Sequence, residues 1–411
     1  MLRFVHTADW QIGMRADYVA EAARRVREAR LEAATRVVNL ARERDAQFIL
    51  LAGDTFEDNQ VADSLVHQVL RVLSDAAPLS VFILPGNHDH LGPGSIYARR
   101  PFQNLPTNVQ VIRKAVSIPI PGTDAVLLPA PVCQKRSALD PTAHLPNSPK
   151  EGMIRIGVAH GSLRIEGKYQ PDDFPITLDA AHRASLDYLA LGHWHSFYAH
   201  DGRTVYPGTP EPTGFDERES GTAALVTIEG PGAVPKVERM KTGVLRWESW
   251  EEQVKEPSDP ILRTLRRRVE ALPDPAKTLL RLRLKGWLGP DGKAVIEDFG
   301  AWIRARLLFL DLDRSRLTPE VRQGRLRELA AAHPLLAGVL GDLAALGVMV
   351  NPLPSTGGEG ESPLLAGVED LGVTPLDATT LRKILEESGA DLNILREAVN
   401  LLGSLVGEVW P

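Results

Sequence analysis

Apolar and polar positions alternate in blocks along the first 90 residues, and the blocks end alike. Residues 2–6 form a short apolar-rich run that opens into Thr7-Ala8-Asp9-Trp10-Gln11. Over residues 20–44, Val26, Ala29, Ala33, Val37 and Leu40 recur at spacings of three and four, which predicts a helix with one buried face. The arginines and acids between them read as its solvated face. Residues 48–52 are continuously apolar and end in Gly53-Asp54. A second helical stretch over 62–74 leads to Val81-Phe82-Ile83-Leu84, which ends in Pro85-Gly86-Asn87-His88-Asp89. Strand, helix, strand, helix, strand at this spacing predicts an α/β fold on a parallel sheet with right-handed crossovers.

Successive strands therefore bring Asp9, Asp54 and Asn87 to one sheet edge, outside the carboxyl ends where open α/β sheets collect ligands. Beyond a less regular middle, with extended runs at 109–112 and 125–128, two more apolar strands end in histidines. Residues 154–159 lead to His160-Gly161, and 188–191 lead to Gly192-His193-Trp194-His195. In an extended segment positions i and i+2 face one side, so His193 and His195 are expected to reach one place, with Gly192 allowing close backbone approach. Asp9, Asp54, Asn87, His160, His193 and His195 mix oxygen with imidazole donors. Such a set suits a pair of divalent first-row metals, Mn²⁺ first and Fe²⁺ or Zn²⁺ next, better than Ca²⁺.

Composition narrows the class. The 411 residues, 43% hydrophobic and 24% charged, suit a soluble globular protein of two or three domains. No apolar run is long enough to span a bilayer, and the start lacks a signal pattern, so the expected place is the cytoplasm, with no membrane partner. The single Cys133 excludes an intramolecular disulfide. A net charge of −6 leaves any nucleic-acid role to local basic patches.

Asp9, Gly53-Asp54, Gly86-Asn87-His88-Asp89, His160-Gly161 and Gly192-His193-Trp194-His195 come in the order of the calcineurin-like metallophosphoesterases, which the sequence resembles. More narrowly, His6-Thr7-Ala8-Asp9-Trp10, Gly53-Asp54-Thr55-Phe56, residues 128–132 and Tyr206-Pro207-Gly208-Thr209-Pro210 are similar to the SbcD-type DNA repair exonucleases. The resemblance implies a four-layer α/β/β/α core over residues 1–250, a small αβαβ cap over 260–318 and a C-terminal helical region over 319–411. It implies two metals bridged by Asp54. Asp9, His195 and position 11 would complete one site, and Asn87, His160 and His193 the other. His88 would act on the phosphorus centre or the leaving oxygen, with Asp89 holding its ring. Gln11 departs from the pattern, because the family has a histidine ligand there, and a weaker metal site is expected. Glu57 stands where some relatives carry a histidine that helps position DNA.

Residues 205–250 read as short alternating strands of a closing antiparallel sheet, followed by a polar linker over 251–260. The cap is expected as helix 261–272, strand 278–284, helix 294–307 and strand 308–312. Arg263, Arg266, Arg267, Arg268 and Lys285 make it a candidate DNA surface, weighed against an ordinary solvated face. Residues 320–346 and 377–410 read as helical, and the apolar stripe of the second is a candidate site for an SbcC-type ATPase. The resemblance thus implies a DNA exo- or endonuclease in repair or recombination, with DNA and that ATPase as partners and a homodimer left open. Two alternatives stay beside it: a small-substrate phosphodiesterase or phosphatase, and a catalytically weakened DNA- or ATPase-binding scaffold.

Overall fold

The computed structural model describes residues 1–146, 152–254, 260–288 and 292–319. The helices expected over 320–346 and 377–410, and with them the ATPase-binding segment, lie outside the described residues. The chain divides into two compact units. One is Met1–Ser249 with Ala276–Leu280; the other takes Trp250–Pro275 and the chain from Arg281 onward.

The first unit opens with the pattern read above: β1 (Leu2–Thr7), α1 (Ala23–Glu43), β2 (Phe48–Ala52), α2 (Asp63–Ser74) and β3 (Ser80–Leu84). These strands pair in parallel, with Thr7 opposite Leu51 and Ala52 opposite Leu84, so their carboxyl ends coincide. β4 (Val109–Val111) flanks β3, while β11 (Thr222–Ile228) and β12 (Lys236–Lys241) extend the other side, giving the order β12-β11-β1-β2-β3-β4. A second six-stranded sheet holds β5 (Ile118–Pro119), β6 (Ala125–Pro129), β7 (Ile154–His160), β8 (Tyr188–Gly192), β9 (Phe197–His200) and β10 (Thr204–Pro207). Its order is β5-β6-β7-β8-β10-β9, and β7 and β8 are parallel with His160 opposite Gly192.

Alternation along the strands sorts the side chains into layers. Val5, Ile49, Leu51 and Val81 meet Val37, Val38 and Val66 of the helices. Phe4, Phe48, Phe82, Ile156 and Tyr188 fill the space between the sheets, with Phe4 stacked on Phe48 at 4.6 Å. Leu128, Ala159 and Leu189 face outward onto Ala180 and Ala181 of α3 (Ala180–Arg183). The result is helix, sheet, sheet, helix. Each large apolar side chain buried between these layers contributes about 1.5–3 kcal/mol, which holds the strand ends in place.

The second unit carries a three-stranded sheet, ordered β13 (Arg246–Val254), β14 (Thr278–Leu288), β15 (Phe309–Pro319), with α4 (Pro260–Glu270) and α5 (Gly292–Arg304). Here the sequence reading is corrected. β13 heads this sheet and does not close the first unit's sheets, and Glu251 belongs to the strand, not to a linker. Trp250 and Val254 are buried while Glu251 and Gln253 face out, so the strand's charged face gave it the look of a loop.

Candidate metal centre

The loops after β1 and β2 are stitched to each other. Asp9 N–H donates to the Gly53 carbonyl at 3.0 Å and Gln11 N–H to the Asp54 carbonyl at 2.9 Å. Asp9, Gln11 and Asp54 all sit in the left-handed region, at φ 56°, 44° and 52°. Such backbone costs of order 1–3 kcal/mol per residue and persists only where surrounding contacts over-determine it. Here it turns both carboxylates inward, where Asp9 and Asp54 are buried.

From the second sheet, His160 and His193 arrive opposite. His160 Nε2 lies 2.8 Å from Asn87 Oδ1 and 3.2 Å from Asp54 Oδ2, and His193 Nδ1 lies 3.1 Å from Asn87 Oδ1. One ligand atom each from Asp54, His160 and His193 falls within 4.8 Å of the others. Two donors at right angles on a six-coordinate ion with bonds of about 2.1 Å lie about 3 Å apart. The observed spacings therefore fit the edges of a coordination shell, and the oxygen–imidazole mixture fits a divalent first-row metal.

Each imidazole has its other nitrogen taken. His160 Nδ1–H donates to the Ala52 carbonyl at 2.9 Å, and His193 Nε2–H to Asp173 Oδ2 at 2.7 Å. His195 Nδ1–H donates to Glu217 Oε1 at 2.5 Å. A ring fixed this way presents its second nitrogen as a lone-pair donor, the arrangement that supports metal-ligating histidines. Asp173 and Glu217 were not legible in the sequence: both lie in irregular loops, away from any strand end.

His193 and His195 do not face one side as expected. The backbone of His193 has φ 107°, so the segment is not extended. His193 turns to Asn87 and Asp173, while His195 Nε2 turns to Gln11 Nε2 at 3.0 Å. Asp9 accepts His193 N–H at 3.0 Å on each oxygen. The pair thus straddles the centre, His195 beside Gln11 on the Asp9 side.

Two glycines make the approach possible. A Cβ on Gly53, at φ 97°, would lie 2.1 Å from His160 Nδ1, and one on Gly192 would lie 2.0 Å from the Ala52 carbonyl oxygen. The charges follow from the same crowding. Burial would raise the Asp54 carboxyl, but His160 beside it and the His88 N–H hold it well below the carboxylate range. Burial would lower His160, and Asp54 instead lifts it to about 10. Asp9 is raised by burial, against the pull of His160 and His195. The proton on His160 thus serves as the counter-charge of Asp54, a place that a divalent cation would take over.

His88 stands at the rim, half-buried. Its N–H donates to Asp54 Oδ1 at 2.9 Å, and its ring Nδ1 lies 2.7 Å from the Glu57 carbonyl oxygen. Asp89 does not hold that ring, which corrects the expectation. It is fully buried and accepts from Gly86 N–H, Phe56 N–H and the Tyr97 hydroxyl, so it ties the loop together instead. Burial, with Asp54 nearby, raises its carboxyl to about 6.

The basic residues of the second unit are less available than their number implied. Arg268 lies 3.9 Å from the Trp250 ring centre and 3.2 Å from Glu252, and Arg266 stacks over Trp302 at 5.3 Å. Lys285 pairs with Glu251 at 3.0 Å. Arg263 and Arg267 are exposed on α4. Intramolecular contacts thus take up three of the five candidates.

Residues 2–197 match the calcineurin-like phosphoesterase family, Metallophos. That stretch belongs to the calcineurin-like metallophosphoesterase superfamily. The chain is similar to YhaO of Bacillus subtilis, described as an uncharacterized metallophosphoesterase, at 26% identity over 225 residues, 51% of this chain and 53% of that one. It is also similar to one subunit of the nuclease SbcCD of Bacillus subtilis, at 22% identity over 266 residues, 55% of this chain and 66% of that one. The chain thus spans between about half and two thirds of the length of these curated relatives. The solved structure of TT1561 from Thermus thermophilus aligns with a TM-score of 0.38 at 15% identity, over 59% of this chain and 99% of that one. Among the described residues no helix is long and apolar enough to cross a membrane.

Proposed function

We propose that the chain is a metal-dependent phosphodiesterase acting on DNA, the nuclease subunit of an assembly with an SbcC-type ATPase. The observation that carries the hydrolase reading is the donor set of Asp54, Asn87, His160 and His193 at 2.8–3.2 Å, with each ring's far nitrogen already bonded. Those residues would hold one ion, and Asp9, Asp54, His195 and Gln11 a second, Mn²⁺ being the expected metal. Divalent ions there would supply Lewis acidity to a phosphoryl oxygen and lower the pKa of attacking water. The similarity to a subunit of the SbcCD nuclease supports DNA as the substrate.

The protein's own groups divide the remaining work. His88 Nδ1–H donates to the Glu57 carbonyl at 2.7 Å, which leaves Nε2 to meet a phosphoryl or leaving oxygen. Its backbone N–H orients Asp54 through a 2.9 Å bond. Asp89 and Tyr97 keep the loop that carries His88 from swinging away. His88→Ala should lose 10²–10⁴-fold in hydrolysis, roughly the range for a positioned proton-transfer group, yet keep Mn²⁺ and DNA binding. Turnover of a duplex end and of a small chromogenic diester should be compared in both proteins, with and without Mn²⁺. Unchanged cleavage by the variant would sink the role of His88. Turnover confined to the small diester would overturn the DNA reading and leave the hydrolase reading standing.

A further inference from the structure

Arg30 lies on α1 among charged residues that pattern as a solvated face, yet it is 3% exposed. A guanidinium taken out of water costs several kcal/mol unless its donors are met. Here every acceptor is an oxygen of a loop, and the loops are those of the metal centre. Nε and one terminal nitrogen donate to the Trp10 carbonyl at 2.9 and 2.6 Å, and the latter also reaches the Asp9 carbonyl at 3.4 Å. The other terminal nitrogen donates to the carbonyls of Glu211 and Pro212 at 3.1 and 3.4 Å. Thr209 repeats the tie, with its hydroxyl 2.8 Å from both the Asp9 and the Glu211 carbonyl oxygens.

The second loop leads to His195. Thr213 N–H donates to Glu217 Oε2 at 2.7 Å, and Glu217 Oε1 holds His195 Nδ1 at 2.5 Å. Glu211, also buried, has its carboxyl raised to about 7 by burial, and its oxygens accept Val244 and Leu245 N–H at 2.5 and 3.0 Å, which fixes this loop on a further side. Asn87 and His160 are held apart from this clamp: His160 ends β7 opposite Gly192, its ring tied to the Ala52 carbonyl, and Asn87 Oδ1 lies 2.8 Å from its Nε2. Asp54 and His193 meet the clamp only through their bonds to Gln11 and Asp9.

We infer that Arg30, with Thr209, is a positioning residue for one half of the metal centre: it sets Asp9, Gln11 and His195 against each other across two loops. The inference rests on the two-ion reading proposed above. Only a planar fork with five donors meets this set of carbonyls, so lysine is not an equivalent. Arg30→Met should weaken binding of the second Mn²⁺ by about tenfold or more, the range seen when a group supporting metal ligands is lost. Binding of the first should weaken clearly less than that of the second, because Asn87 and His160 are held apart from the clamp, while Asp54 and His193 meet it only through their bonds to Gln11 and Asp9. Thr209→Val, which removes one hydroxyl without emptying the space, should do the same more mildly and covers the case in which Arg30→Met fails to fold.

The test is calorimetric titration of the full chain with Mn²⁺, joined to the electron paramagnetic resonance signal of a coupled Mn²⁺ pair. Loss of the coupled signal at Mn²⁺ levels that still fill one site supports the inference. Equal weakening of both ions in step with a fall in melting temperature makes Arg30 a stabilising residue only, and overturns it. Titrations identical to the parent protein also overturn it. A parent protein that binds one ion and never shows a coupled signal refutes the two-ion reading, and the inference falls with it.

Discussion

Gly192→Ala tests whether the close packing at the centre is what orients His160. The added Cβ would lie 2.0 Å from the Ala52 carbonyl oxygen, 2.8 Å from His160 Nδ1 and 2.9 Å from the Ala8 Cβ. A carbon and a carbonyl oxygen ordinarily stay about 3.3 Å or more apart, so a gap of over 1 Å must open. Neither neighbour can yield cheaply, since Ala52 is held in β2 between β1 and β3 and His160 is fully buried. Overpacking of this kind costs about 1–3 kcal/mol. In a unit of this size each kcal/mol lowers the melting temperature by about 2–4 °C. The displaced oxygen is also the acceptor of His160 Nδ1–H at 2.9 Å, so the ring loses the bond that aims Nε2 at Asn87 and Asp54. Loss of such a partner weakens metal binding about 10–100-fold. Thermal melts and Mn²⁺ calorimetry read the two effects separately. Gly230→Ala, where a Cβ meets nothing within 4 Å, controls for the loss of glycine itself. A Gly192→Ala protein that melts with the parent and binds Mn²⁺ equally would refute the reasoning.

Two further outcomes are expected. His6 is fully buried with Nδ1 2.8 Å from the Tyr188 hydroxyl, and burial lowers its pKa from 6.5 to about 3 despite the opposing effect of the Leu191 carbonyl. The neutral ring is thus the folded form. Its contribution is whole above pH 6.5 and drains away as the pH falls toward 3, by about 2 kcal/mol at pH 5. Denaturant titrations at pH 7.5 and 5 should show the parent losing about 2 kcal/mol more than His6→Gln over that interval; equal changes in both would exclude it. Gln11→His replaces a neutral amide, 3.0 Å from His195 Nε2, with a better donor to first-row metals. It should move half-saturation of the weaker Mn²⁺ site to lower concentration, on the order of tenfold, and superimposable titration curves would count against any cost from the glutamine.

What could be read from the sequence was whatever local pattern dictates. Continuous apolar runs mark buried strands, and a strand's end is also where its next polar residue meets the edge of the sheet. Asp9, Asp54, Asn87, His160 and His193 were therefore identifiable together. The supporting residues were not, because they meet the centre through folding of irregular loops: Asp173 reaches His193 from 20 residues away and Glu217 reaches His195 from 22. Arg30 was misjudged for a different reason. Its neighbours do form the expected solvent-facing pairs, Arg24 with Glu28 and Arg25 with Glu32, and nothing in the pattern separates a clamped arginine from them. Asp89 was expected to hold the His88 ring because the family resemblance implies it, whereas three donors draw its carboxylate the other way. The His-x-His spacing failed where the backbone left the extended region at His193.

The charge of the chain bears on how a phosphodiester would approach it. The protein carries a net charge of −6, and three of the five basic candidates in the second unit are engaged within the molecule. At the centre itself, the buried Asp9 and Asp54 carboxyls are countered by His160, which Asp54 lifts to about 10, so no net positive charge stands ready for a phosphate. Two divalent ions would bring four positive charges against those two carboxylates and make the centre attractive to a polyanion within a Debye length of about 10 Å at 0.1 M salt. On the reading proposed above, cation binding would govern substrate affinity as well as the chemical step. A metal titration followed by DNA binding and one followed by turnover should then share their lower limb, because the ions that activate the site are also those that let a phosphate enter it.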